Sequence, residues 1–111
     1  VSVAALNPPH LEGVVPYALS NYSCRGPGLR VGLKPDFAHV GGSGTIHSEY
    51  GHGLLSLDIT GKIVDGCGTS YAAPNVAKTL ASLDHSIEGN VSRETLIGLG
   101  VHNTILPEAL N

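Results

Sequence analysis

Apolar and polar positions divide this chain into short runs punctuated by glycine and proline. Val1–Leu6 ("VSVAAL") is a nearly unbroken apolar run closed by Asn7-Pro8-Pro9, where two prolines forbid continuation. It predicts a buried strand. Val14–Cys24 predicts a second extended segment bent at Pro16, and "RGPG" (Arg25–Gly28) a tight turn. Leu29–Val40 alternates weakly and is broken by Pro35, which predicts a short strand followed by a loop. "GGSG" (Gly41–Gly44) predicts a flexible turn, and Gly53–Val64 a hairpin turning near Thr60-Gly61.

The period then changes. Ala72, Ala73, Val76, Ala77, Leu80 and Ala81 recur at three- and four-residue intervals, which predicts a helix from Ser70 onward. The three alanines at 72, 73 and 77 would let that helix sit close against a sheet. Ser92 predicts the N-cap of a second helix, with Glu94 in its first turn and Leu96, Ile97 and Leu99 behind. Gly98 and Gly100 weaken it by about 1 kcal/mol each relative to alanine. Strands that read as continuous apolar runs suit a sheet covered on both faces, so the fold class is α/β.

Composition narrows the function classes. With 111 residues the chain is one domain or part of one. It is 41% apolar and 14% charged, the balance of a folded chain. A net charge of −3 and the absence of a basic run interleaved with aromatics argue against nucleic acid as a partner. No apolar run approaches the roughly 18–20 residues of a membrane span, and no signal-peptide pattern is present. The compartment stays open between secreted and cytoplasmic. Cys24 and Cys67 lack CxxC spacing, so they read as two thiols or one bridge rather than a zinc site.

The most informative stretch is "DGCGTSYAAPNVAKTLASL" (Asp65–Leu83). Gly68 and Thr69 put Ser70 at the mouth of the predicted helix, where unpaired N–H groups favour developing negative charge. Pro74 lies near enough to the start to be tolerated at the cost of one hydrogen bond. A serine there serves one of two ends. It is an ordinary N-cap, or a nucleophile with backbone donors beside it.

"GTSYAAPNVA" (Gly68–Ala77) resembles the nucleophile-serine motif of the subtilisin-like serine proteases. Three co-linear stretches agree with it. "SNYSCRGPG" (Ser20–Gly28) is similar to the family's Phe-Ser-Ser-Arg-Gly-Pro segment, and "LKPDFAHVGG" (Leu33–Gly42) to its Lys-Pro-Asp…Ala-Pro-Gly stretch. "SRETLIGLGVHNTI" (Ser92–Ile105) is similar to a later helix of the family. The resemblance implies that residues 1–111 are the C-terminal, nucleophile-bearing part of a subtilase catalytic domain, with a partial three-layer fold and a mostly parallel sheet. It implies that Ser70 is the acyl-forming nucleophile, with its own N–H as oxyanion donor and the Thr69 backbone beside it. The implied partner is a peptide or protein substrate. No cofactor is called for, and structural calcium is left open. Tyr71 replaces the usual Met, Asn75 the usual His, Lys78 a Gly, and His39-Val40 an Ala-Pro.

The family's triad runs Asp, His, Ser along the chain, so its Asp, its His and its oxyanion Asn are expected upstream of Val1. The 111 residues alone are then expected to be inactive, and to self-associate where upstream elements leave apolar faces bare. The alternative function is a degenerate subtilase module used for binding or scaffolding. Asp36, His39 or His52, and Ser70 occur in triad order, and His47, Glu49 and His52 lie close together on a glycine-rich segment. Asp36 matches a structural motif of the family, and no HExxH helix or cysteine pair supports a metal, so both are set aside. "GGSGT" lacks the Gly-Lys-Ser/Thr ending of a phosphate loop.

Overall fold

A computed structural model describes residues 1–28, 32–45 and 49–110. Its elements run β1 (Val3–Leu6), β2 (Gly26–Pro27), β3 (Leu33–Lys34), β4 (Phe37–Val40), β5 (Leu54–Leu57), β6 (Ile63–Gly66), α1 (Thr69–Ser86) and α2 (Arg93–His102), with a 3-10 turn at Glu108–Leu110. The fold is mixed α/β: small two-stranded sheets and two helices among the described residues.

β1 and β4 pair in parallel, Val3 opposite Phe37 and Leu6 opposite Val40. Helix α1 packs on both strands, and α2 packs on α1. The core sits in that layer: Ala4, Ala5 and Leu6 from β1, Phe37 from β4, Ala72 and Val76 from α1. Ala5 and Ala72 are fully buried, and their small side chains permit close approach of helix and strand. Ala73 and Ala77 are exposed. At 3.6 residues per turn, Ala72 and Val76 define the inward stripe, and their immediate successors turn about 100° away from it. Only one of the three alanines expected to seat the helix does so.

The expected strand at Val1–Leu6, the hairpin and both helices are present. β5 and β6 pair antiparallel across Asp58–Gly61, where Asp58 Oδ1 accepts from the Thr60 N–H at 2.7 Å and the Lys62 N–H at 3.0 Å. Ser92 caps α2 by accepting from the Thr95 N–H at 3.2 Å. Gly100 has a packing reason: a Cβ there would stand 3.0 Å from Leu80 Cδ2 and 3.1 Å from Phe37 Cζ.

Five expectations are corrected. The sheet is not mostly parallel among the described residues; one pair is parallel and two are antiparallel. The reason is connection length, because short connections join only antiparallel neighbours whereas β1 and β4 are separated by a long crossover. Val14–Cys24 is a series of turns rather than a second strand. Pro16 and the left-handed Tyr17 (φ 58°) interrupt it, leaving a single antiparallel bridge from Leu19 to Leu6. Gly26 and Pro27 of the expected tight turn pair as β2 with β3. Pro35 ends β3 as expected, but β4 resumes two residues later; Leu29, Arg30 and Val31 lie outside the described residues. The last correction concerns "GGSG": Gly41, Gly42 and Ser43 are buried and bonded, not a free turn.

Candidate active site at the mouth of helix α1

β6 ends at Gly66, and after Cys67 and Gly68 α1 begins at Thr69. Gly68 occupies the N-cap position and makes no side-chain cap bond, so neither Thr69 nor Ser70 is the cap of this helix. The ordinary-cap reading of the serine therefore fails. The first turn is closed instead by the backbone, the Tyr71 N–H donating to Gly68 O at 3.0 Å. Among the described residues no acceptor is bonded to the Thr69 or Ser70 N–H, and no side-chain hydrogen bond ties the Ser70 hydroxyl. Thr69 and Ser70 are both exposed. No acidic side chain occupies the first turn, so the positive end of the helix dipole is uncompensated there. Pro74 has no N–H to return to Ser70 O four residues back, which is the bond its presence costs. Asn75 turns back along the helix, its Nδ2 donating to Tyr71 O at 2.9 Å.

The mouth rests on a glycine cradle. The Gly68 N–H donates to Gly41 O at 2.9 Å. A Cβ on Gly41 would lie 2.6 Å from Ala5 Cβ and 2.9 Å from Gly68 O, and one on Gly42 (φ 89°) would lie 2.8 Å from Cys67 Cβ. Only glycine lets these three segments stack so closely. From below, Ser20 Oγ donates to Gly42 O at 2.8 Å, and the Tyr22 hydroxyl lies 2.7 Å from Gly41 O and 2.9 Å from Gly42 O. Burial pushes the Tyr22 phenol above its ordinary range; the Ser20 hydroxyl and the Gly68 N–H oppose that rise. The Cys67 thiol is also pushed up, chiefly by burial and further by the Asp65 carboxylate. Beside Thr69 opens a cleft of about 420 Å³, walled by Ser2, Val3, residues 22–27, Lys34 and Pro35.

The other candidate residues are not gathered here. Asp36 accepts from the Ser2 N–H at 2.7 Å and from Lys34 Nζ at 2.6 Å, a structural tie across the start of β4. The Lys34 ammonium foremost, with the Ser2 N–H, holds its carboxyl below the usual carboxylate range. His39 Nδ1 faces its neighbour's carbonyl, Val40 O, at 3.3 Å. His52 Nδ1 donates to Ser43 O at 2.6 Å, while its backbone N–H donates to Asp65 Oδ2 at 2.7 Å. No hydrogen bond among the described residues joins any of these groups to Ser70, so Asp36, His39, His52 and Ser70 do not form an internal triad. His47 lies outside the described residues, and Glu49 and His52 belong to no metal-holding cluster among them. Cys24 and Cys67 are both free thiols. Among the described residues no helix is long and apolar enough to cross a membrane.

Ser20, Tyr22, Gly41 and Gly42 had no assigned role in the sequence. Their signal was present but faint: two hydroxyl residues spaced by two, and a glycine pair directly after an apolar strand. No family model matches the chain, and no curated protein or solved structure matches it either.

Proposed function

We propose that this chain is the nucleophile-bearing part of a subtilisin-like serine endopeptidase, with Ser70 as the nucleophile. One observation carries the reading. An exposed serine stands on an uncapped helix N-terminus, set there by a glycine cradle, in a stretch that resembles the family's serine motif. Helix α1 lying on the parallel β1–β4 pair supports a subtilisin-like arrangement. In this reading Ser70 Oγ attacks a peptide carbonyl carbon. The Ser70 and Thr69 N–H groups face the oxygen that becomes negative, inside the field of the helix dipole.

The hydroxyl proton must go to a base, which later returns it to the departing amine. No described residue is placed to be that base, so the reading requires the His and its orienting Asp to come from outside residues 1–111. These residues alone are then inactive, since triad members act as a unit. Exposed apolar side chains such as Leu55, Leu57 and Ile59 on the hairpin and Ile105 near its end suit a chain that packs within a larger unit or against itself. The radius of gyration of 15.6 Å, against about 13 Å for a compact chain of this length, points the same way.

A fluorophosphonate probe on the full-length protein is expected to label Ser70, with labelling lost in Ser70→Ala. A full-length protein that neither labels nor hydrolyses peptides refutes the reading. The missing base at Ser70 favours a second reading, a degenerate binding module. Peptide binding without turnover or labelling decides for it.

A further inference from the structure

We propose that Tyr22 is a positioning residue for Ser70, acting through the Gly41–Gly42 carbonyls and the Gly68 amide. The inference rests on the reading of Ser70 as nucleophile. The Tyr22 hydroxyl donates to Gly41 O at 2.7 Å, with Gly42 O at 2.9 Å sharing the same proton. Gly41 O also accepts the Gly68 N–H at 2.9 Å. One carbonyl oxygen thus joins the phenol to the last residue before the helix. Gly68 O in turn accepts from Tyr71 and closes the turn that contains Ser70.

The contact has no slack to absorb a shift. Neither Gly41 nor Gly42 has room for even one more carbon against Ala5, Cys67 and Gly68. A rotation of the Gly41–Gly42 peptides is therefore passed to Gly68 rather than dissipated. The hydroxyl is not needed to satisfy those carbonyls. Without it, Gly41 O keeps the Gly68 N–H and Gly42 O keeps Ser20 Oγ at 2.8 Å. What the phenol oxygen adds is direction. Removing it leaves no buried acceptor unpaired, so the fold survives and the loss falls on the geometry of the serine.

The test is Tyr22→Phe in the full-length protein, which keeps the ring and deletes the oxygen. Fluorophosphonate labelling of Ser70 is expected to slow about tenfold, and peptide hydrolysis to lose kcat with KM unchanged. Ser92→Ala, which removes the α2 cap far from the cradle, serves as the stability control and is expected to label at the wild-type rate. Should Tyr22→Phe fail to accumulate as folded protein, Tyr22→His removes the same phenol oxygen while keeping a ring with a polar edge, and carries the same expectation. Wild-type labelling rates in the tested cradle variant overturn the proposal, as does an equal slowing in Ser92→Ala. Either outcome leaves the Ser70 reading standing. A wild-type protein that does not label removes that reading and this proposal together.

Discussion

Helix α2 carries two glycines two residues apart, and they should answer differently to the same substitution. At Gly98 a new Cβ meets nothing within 4 Å, so Gly98→Ala recovers only the helix propensity that glycine forfeits, about 0.5–1 kcal/mol. At Gly100 the same propensity gain is opposed by crowding. The new carbon would stand 3.0 Å from Leu80 Cδ2 and 3.1 Å from Phe37 Cζ, and Phe37 belongs to the buried core with little freedom to retreat. Overpacking of this kind costs about 1–3 kcal/mol, so Gly100→Ala is expected to be neutral to about 2 kcal/mol destabilising. The two variants should therefore differ by about 1–3 kcal/mol. Urea unfolding followed by circular dichroism reads the difference directly. With a slope of about 2 kcal/mol per molar, the midpoints should separate by about 0.5 M or more, Gly98→Ala above wild type. If Gly100→Ala is stabilised as much as Gly98→Ala, the close seating of α2 on α1 and β4 is wrong.

Two further outcomes test the electrostatics. Asp36 has its carboxyl held down by Lys34 and Ser2, so its stabilising contribution is full above the unfolded value near pH 4 and is lost as pH falls through the lower folded value. Asp36→Asn should therefore be less stable than wild type at pH 6 and should lose less stability on acidification to pH 3; parallel pH profiles would contradict the tie. Iodoacetamide at pH 8 should modify the exposed Cys24 several-fold faster than Cys67, whose thiol is half-buried and pushed up by burial and Asp65; mass spectrometry showing equal rates would refute that placement.

What the sequence made legible was whatever is local. Helical periodicity located α1, a hydroxyl before an apolar run located α2, and a glycine between two apolar runs located the hairpin. Each of those signals is read within a dozen residues. The misses all depended on partners far along the chain. Nothing near Gly41-Gly42 says that Ala5 and Gly68 close over it, so a buried cradle read as a loose turn. Ala73 and Ala77 fit the small-residue pattern as well as Ala72, yet only the register against β1 and β4 decides which alanine faces inward. At the site, the serine and the helix mouth were visible in the motif. The support beneath them was not, because Ser20 and Tyr22 reach it from a segment whose own pattern suggested a strand.

The parallel pair has a consequence for the order of assembly. Val3 meets Phe37 across 34 positions of chain, whereas Leu57 meets Ile63 across six. Closing the longer loop costs about 1.5 kcal/mol more in chain entropy, so hairpin and helices can form before β1 and β4 meet. The Gly68–Gly41 bond depends on that late meeting, because Gly41 directly follows β4 and its own N–H donates to Leu6 O at the end of β1. The helix bearing Ser70 can thus form early while its aim is fixed late, because the serine's final setting needs β1 and β4, the paired strands farthest apart in sequence among the described residues, to have met.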